Sequence, residues 1–454
     1  MRAMTSESVE SQRNSALNAL FKGYEGLAFA VRLWDGWRWR SAVAGEPVCT
    51  IVLHSPDALT TLTERASEIT LGEAFLSKKI DVEGDLFSAF DIVKYVFQRP
   101  RGQLQRVYET MAGVLSGISQ WRKAGKIHSE KRDKASISYH YDQSADFYRP
   151  WLGPSLAYSS AYFQSEADGV DAAQANKLDL ICRKLRLQSG ERFLDVGCGW
   201  GSLVLHAASR YGVHANGITL SHEQEAVATD RIEKALLKQN CDIELLDYRK
   251  ALERFPLFDK IASVGMFEHV GLKNLPLYFQ TIFNLLKPGG VFLNSGITRA
   301  PVSHGSKSFL TTAIVPFLRN VLHLTRPHGS SFIDRHVFPD GELVTLPQVL
   351  QAAEGAGFEV RDVESLREHY EMTLRGWVKE LQRNADQLLA HVSEKTYRIW
   401  LLYMAGSAAA FRRGDISSYQ VLLSRADDTG NSHLPLTRED WYKPRSPDGR
   451  MVAA

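Results

Sequence analysis

Cysteine is scarce: the 454 residues contain four, Cys49, Cys182, Cys198 and Cys241, and no two form a C-x-x-C pair. A disulfide framework and a cysteine zinc site are thereby disfavoured, and a reducing cytosol fits. An excess of one charge is lacking too. The 54 basic and 52 acidic side chains leave +2, so composition gives no reason to expect nucleic acid as a partner. Long apolar runs are missing: Ile399 to Phe411 falls short of the roughly 18 to 20 residues that span a bilayer. The opening MRAMTSESVESQRNS has no signal-peptide core. Internal repeats are absent. No two of His304, His323, His328 and His336 stand at H-x-x-x-H spacing, so no metal is expected.

What is present is a globular mixture, 44% hydrophobic and 23% charged, long enough for two or three domains with a core that needs no staples. Residues 1–98 read as a small α+β unit. WRWRSAV and VCTIVLH are β-like, PDALTTLTERA is helical, and Asp35-Gly36 marks a hairpin. Residues 99–136 read as a basic helical linker: Arg99 to Lys134 holds nine Lys/Arg against three acids. Such a stretch suits an anionic surface, and a solvated interdomain helix is the equal alternative. Residues 137–430 alternate strand and helix: RFLDV, SLVLHAASRYG, HANGITL, a charged helix from His222 to Gln239, CDIELLD, KIASVG, YFQTIFNLLKPGG, VFLNSGI. That pattern predicts an α/β, doubly wound parallel sheet with helices on both faces. After Phe358 a mostly helical addition is expected, and residues 431–454, with Pro435, Pro444 and Pro447, read as a disordered tail.

In RFLDVGCGWGSL a strand runs into Gly197, Gly199 and Gly201 and then opens a helix. Glycines there permit unusual dihedrals and let a ligand approach bare backbone. A dinucleotide site would place an acid about 20 residues on, at the end of the second strand. Here that strand ends near Thr219 in GITLSHEQ, which disfavours NAD. The glycine turn, followed by LKPGG roughly 90 residues later, matches the layout of S-adenosylmethionine methyltransferases. Cys198 inside the turn reads as a small packing residue.

Several segments in order then carry a family resemblance: HYDQSADFY (His140 to Tyr148), AYSSAYF (Ala157 to Phe163), FLDVGCGWG, GITLSHEQ, DYR (Asp247 to Arg249), SVGMFEHVG (Ser263 to Gly271) and AFRRGDISSYQVLLSRA (Ala410 to Ala426). Over most of residues 20–427 the chain resembles the cyclopropane-fatty-acyl-phospholipid synthases and the mycolic acid cyclopropane synthases. LGEAFL (Leu71 to Leu76) and DVEGDL (Asp81 to Leu86) are similar to the N-terminal domain of the phospholipid-acting members. The resemblance implies a Rossmann-like methyltransferase domain with S-adenosylmethionine as methyl donor. It puts Tyr158 and Ser159 at the methionine portion, Asp195 and the Gly197, Gly199, Gly201 cradle at the turn, Thr219 and Gln224 at the ribose, and Tyr248 at the adenine. Hydroxyls and amides suit a sugar and an aromatic ring suits a base. Taken singly, either tyrosine reads equally well as a half-buried core residue.

The implied reaction joins the sulfonium methyl to an acyl double bond and then removes a proton to close the ring. It needs a dry, aromatic-lined site and a base, which in the family is a bound bicarbonate. Glu268 matches the acidic member of the set that holds it, and Tyr370 in EHYEMTL the hydroxyl member. His269 beside Glu268 reads more readily as a packing or hydrogen-bonding residue than as a catalytic one. Ser160 stands where the family usually has Cys, and Ser295 where it usually has His. A hydroxyl can still hydrogen-bond an oxyanion, but the imidazole charge and proton shuttle are lost.

Cyclopropane formation on unsaturated phospholipid acyl chains is therefore the expected activity, with a methyl- or methylene-branched product as the alternative. Methylation of a small amphiphile and a non-catalytic lipid-binding protein are the remaining readings. The expected partner is a phospholipid bilayer surface, reached from the cytoplasm at the inner face of the membrane through the basic segment. A homodimer is compatible with the sequence.

Overall fold

The computed structural model describes residues 6–98, 144–300, 332–337 and 342–442. The basic segment, His140, and His304, His323 and His328 lie outside them.

The chain divides into two units, the first formed by residues 1–125, 323–339 and 393–409. After α1 (Ser6–Leu20) come β1 (Phe29–Arg32), β2 (Arg38–Arg40) and β3 (Cys49–Leu53), then α2 (Pro56–Thr63), α3 (Glu68–Leu76), β4 (Ile80–Gly84) and α4 (Leu86–Gln98). The expected hairpin forms: β1 and β2 pair antiparallel, and Gly36 takes a φ of +86° in the turn. The sheet order is β2-β1-β3-β4. Ser67 and Thr70 form a capping box that starts α3.

This unit also takes in later chain, which the sequence reading confined to residues 1–98. Phe332, on α11 (Phe332–His336), lies so close to Gly72 that a Cβ there would meet its ring at 2.5 Å. His336 bonds Glu73 at 2.9 Å. Arg398, on α15 (Glu394–Arg413), donates to the carbonyls of Phe75 at 2.8 Å and Ile80 at 3.3 Å and to Asp81 at 2.5 Å, with its guanidinium 4.0 Å from the Phe75 ring centroid. The LGEAFL and DVEGDL segments thus form sockets for distant chain. Arg398→Ala should lower the stability of this unit by about 1 to 3 kcal/mol, because it removes three hydrogen bonds and a cation–π contact, and urea unfolding would show it.

The second unit holds the seven-stranded sheet, in the order β10-β11-β9-β8-β5-β6-β7. Its elements are α5 (Ala145–Leu152), α6 (Val170–Leu185), β5 (Arg192–Val196), α7 (Ser202–Tyr211), β6 (His214–Thr219), α8 (His222–Lys234), β7 (Cys241–Leu245), α9 (Ala251–Arg254), β8 (Phe258–Val264), α10 (Leu275–Leu285), β9 (Leu286–Arg299), α12 (Leu346–Gly355), β10 (Glu359–Ser365), α13 (Arg367–Arg383), α14 (Ala385–Leu389), β11 (Ile416–Ser424) and α16 (Glu439–Tyr442). Strands β5 to β9 run parallel, and β11 is antiparallel to both neighbours. Successive residues feed opposite faces. Phe193, Leu293 and Leu422 pack with α6 and α7, while Leu194, Phe292, Val421 and Leu423 pack with α10 and α12. This is the doubly wound α/β fold.

Three expectations are corrected here. The region after Phe358 contributes two strands as well as helices; β10 escapes notice because EVRDVES is a charged sheet edge. The charged helix α8 stops at Lys234, where Leu236 turns to a φ of +58°. The ending is ordered as far as residue 442: Trp441, 2% exposed, stacks with Lys184, Arg186 and Arg438, and Asp440 pairs with Arg186 at 2.7 Å. Cationic partners far back in the chain hold it, and its prolines conceal that.

Candidate active site

Parallel strands end their carbonyl edges together, and a crevice opens where neighbouring connections run in opposite directions. Here that point lies between β5 and β8. A cleft opens there, lined by the loops that follow β5, β6, β7 and β8 and by residues 156–159. Tyr158, Ser159, Asp195, Gly197, Gly199, Thr219, Gln224 and Tyr248 all line it.

The local chemistry explains their placement. Gly197, Gly199 and Gly201 have φ of +81°, +53° and +77°, so the turn needs glycine. A Cβ on Gly199 or on Gly265 would meet nothing within 4 Å and would project into the cleft, so the backbone there is bare for a ligand. Gly201 is different. It is not among the lining residues, and a Cβ on it would come 3.0 Å from Ala228 of α8, so its role is helix packing. Cys198 packs against Gly217, where an added Cβ would lie 2.8 Å from its sulfur. Burial pushes its thiol well up, which leaves an unreactive packing residue.

Ser221 caps α8 by accepting from the Gln224 amide at 3.3 Å, and Thr219 donates to the Gln224 carboxamide at 2.7 Å. Asp247 caps the turn that begins at Tyr248, and it holds Arg249 at 2.8 and 2.6 Å. The Tyr248 ring stands edge-on to Tyr278 at 5.5 Å, which fixes its plane at the cleft wall.

Segment 157–163 is clamped from two sides. Gln174 donates to the carbonyls of Ala157 at 3.1 Å and Ser159 at 2.9 Å, and Lys177 donates to the Ser159 hydroxyl at 2.9 Å, all from α6. From α13, the Thr373 hydroxyl accepts from the Ala161 amide at 3.0 Å and His369 from the Phe163 amide at 3.1 Å. Lys177 and Gln174 were missed in the sequence, because a polar residue on the buried face of an amphipathic helix gives only a faint signal there. Arg231 was missed as well. From α8 it ties the Trp200 carbonyl at 2.5 Å to the Ser155 carbonyl at 3.1 Å, joining the glycine turn to the segment that carries Tyr158.

The four candidate catalytic residues fall into two pairs. Glu268 sits in a one-turn helix after β8, where its Oε1 accepts from the Ile297 amide at 2.7 Å. Its Oε2 is enclosed without a hydrogen-bond partner, and burial pushes the carboxyl up to about 7. Ser295 is buried two residues before Ile297 on the same strand. Ser160 is buried on the clamped segment and donates to the Ala161 carbonyl at 3.1 Å. Tyr370 lies on α13 between His369 and Thr373, with its ring 4.6 Å from Phe411 and 6.4 Å from Trp377, which in turn reaches Tyr158 at 5.5 Å. His269 lines the donor cleft.

A family model described as mycolic acid cyclopropane synthetase matches residues 128–421. The chain belongs to the mycolic acid cyclopropane synthetase family. A second model, described as a domain of unknown function, matches residues 16–106. Among relatives of the synthetase family, a probable fatty acid methyltransferase of Pseudomonas putida is 39% identical over 421 residues, 92% of this chain and 97% of that one. The cyclopropane-fatty-acyl-phospholipid synthase of Escherichia coli K12 is 35% identical over 304 residues, 67% of this chain and 71% of that one. The crystal structure of mycolic acid cyclopropane synthase CmaA1 complexed with SAH and CTAB superposes with a TM-score of 0.56 at 34% identity, covering 64% of this chain and 97% of that chain. As a member of this family, the chain is an S-adenosylmethionine-dependent, lipid-modifying methyltransferase. The bare glycine backbone and the orphaned Asp195 Oδ1 in the cleft fit a donor with a cationic end.

Proposed function

We propose that the enzyme adds the donor's methyl carbon across the double bond of an unsaturated phospholipid acyl chain, giving a cyclopropane ring. The observation that carries this reading is the enclosed Oε2 of Glu268, two residues after Met266 and next to His269, both of which line the donor cleft. A buried carboxyl near neutral pKa is suited to taking a proton at working pH. S-adenosylmethionine, when bound, supplies an electrophilic methyl on sulfur. Tyr158, Ser159 and the glycine turn orient that end. The aromatic run through Trp151, Tyr158, Trp377 and Tyr370 keeps the neighbouring space dry and presents π faces to positive charge on the acyl chain. Glu268 Oε2 then accepts the proton whose departure lets the ring close. Ser295, two residues before the amide that holds Glu268, and Ser160 on the clamped segment each offer a hydroxyl to a small oxyanion such as bicarbonate, the base that the family resemblance implies.

A second reading, a methyl- or methylene-branched product, is favoured by Ser160 and Ser295. Ser295 supplies no imidazole to take the proton from the new methyl carbon, and a cation that loses its proton from a neighbouring chain carbon instead leaves a branched chain. For access to phospholipid the proposal requires peripheral docking at an anionic bilayer from the cytoplasmic side, supported by the nine basic residues between Arg99 and Lys134. No helix among the described residues is long and apolar enough to cross a membrane.

Incubation with vesicles of monounsaturated phospholipid and methyl-labelled donor should yield acyl chains one CH₂ heavier. Cyclopropyl protons in the NMR spectrum identify the ring, and surviving olefinic protons on labelled chains identify the branched product. Acyl chains left at their starting mass would refute both readings.

A further inference from the structure

Lys177 is 3% exposed, yet it lines the donor cleft. A buried ammonium is costly unless its three N–H groups and its charge are matched. Its hydrogen bond to the Ser159 hydroxyl at 2.9 Å uses one N–H. Burial pushes this ammonium down to about 8, and Asp195, which also lines the cleft, acts on it through space in favour of the charged form. Asp195 is itself incompletely matched. It is 3% exposed, and its Oδ1 is enclosed with no hydrogen-bond partner. The cleft lining therefore includes a buried ammonium with N–H groups beyond the Ser159 bond and a buried carboxyl, pushed up to about 7 by burial and drawn back by Lys177, with an unpartnered oxygen; Gln174 fixes Ser159 beside the ammonium.

Two opposite, incompletely matched charges suit a ligand that brings its own adjacent pair. The methionine end of the donor is such a group, an α-ammonium one carbon from an α-carboxylate. We propose that Lys177 receives the α-carboxylate of the donor, and that Lys177 and Asp195 together form a buried receptor for its zwitterionic end. Packing alone does not account for Lys177, since a methionine side chain would fill the same space at no desolvation cost. The Ser159 contact sets the direction from which the ammonium approaches. The inference concerns the donor alone and stands whatever the lipid product.

Calorimetric binding tests it without turnover, using four ligands: S-adenosylmethionine, S-adenosylhomocysteine, decarboxylated S-adenosylmethionine and 5′-methylthioadenosine. The wild type should prefer S-adenosylmethionine over its decarboxylated form by about 10- to 100-fold, the worth of a charge-assisted hydrogen bond. Lys177→Met should lose about the same factor for the two carboxylate-bearing ligands and change by less than about twofold for the other two, closing the gap. An equal loss for all four ligands would mean that Lys177 shapes the cleft rather than reading the carboxylate, and would overturn the proposal. So would a wild type indifferent to decarboxylation, a comparison that holds even if the variant does not fold.

Discussion

Glu268→Gln should lower turnover by about 10²- to 10⁴-fold, with donor affinity unchanged within about twofold. The carboxamide has the shape of the carboxylate and keeps an oxygen for the Ile297 amide, so the strand contact survives. What is lost is an oxygen that can take a proton at the enclosed Oε2 position. Donor binding is spared because Glu268 is not among the residues lining the cleft. The pH profile follows from the carboxyl being pushed up to about 7 by burial. The ionised form is the base, so wild-type turnover should climb as pH rises and level off above about 7, while the residual rate of the variant stays flat. Stability should run the opposite way. With a folded pKa above the usual 4.5, the native state holds the proton more tightly than the unfolded chain, so stability falls as pH rises between the two values. Gln removes that penalty. The variant should therefore melt higher than wild type above pH 7 and show no such advantage below pH 4.5, which thermal unfolding at both ends would reveal. Undiminished turnover would remove Glu268 from the mechanism.

Legibility in the sequence followed the range of each residue's partners. The glycine turn was readable from strand and turn chemistry because its spacing is local, whereas Thr219, Gln224 and Tyr248 were placed only by the family resemblance; all of them except Gly201 line one cleft. Asp35-Gly36 was equally local. Gly201 was placed correctly in the turn but given the wrong partner, since only the packed structure shows Ala228 beneath it. Lys177, Arg231 and Arg398 were invisible for the converse reason. Each is an ordinary cation on a helix, and its meaning comes from carbonyls or hydroxyls tens to hundreds of residues away. The same holds for Trp441, whose three cationic neighbours include Lys184 and Arg186 from the far end of the unit. Strand β10 failed differently. Its buried position is Asp362, which pairs with Arg438 at 2.8 Å, so the hydrophobic alternation that marks a strand is missing.

Gly296→Ala is the variant that isolates how the base is held. Gly296 lies between Ser295 and Ile297 on β9, and its backbone does not require glycine, since its φ is not positive. Space is the constraint. An added Cβ would fall 2.4 Å from the Phe267 ring and 2.9 Å from both Glu268 oxygens. Phe267 is 3% exposed and has little room, so the ring and the Glu268 carboxylate must both shift. Overpacking of this kind costs about 1 to 3 kcal/mol of stability. A displacement approaching 1 Å at a reacting group costs about 100-fold in rate, so turnover should fall by that order while donor affinity stays within about twofold. The double variant separates this from general damage. If Gly296→Ala acts only by displacing the Glu268 carboxylate, adding it to Glu268→Gln should lower the residual rate by less than about threefold, because the group it displaces no longer contributes. Independent, multiplying losses would mean that the bare strand at Gly296 serves something other than Glu268, with the passage of the acyl chain itself as the next candidate to measure, by the dependence of each variant's rate on chain length.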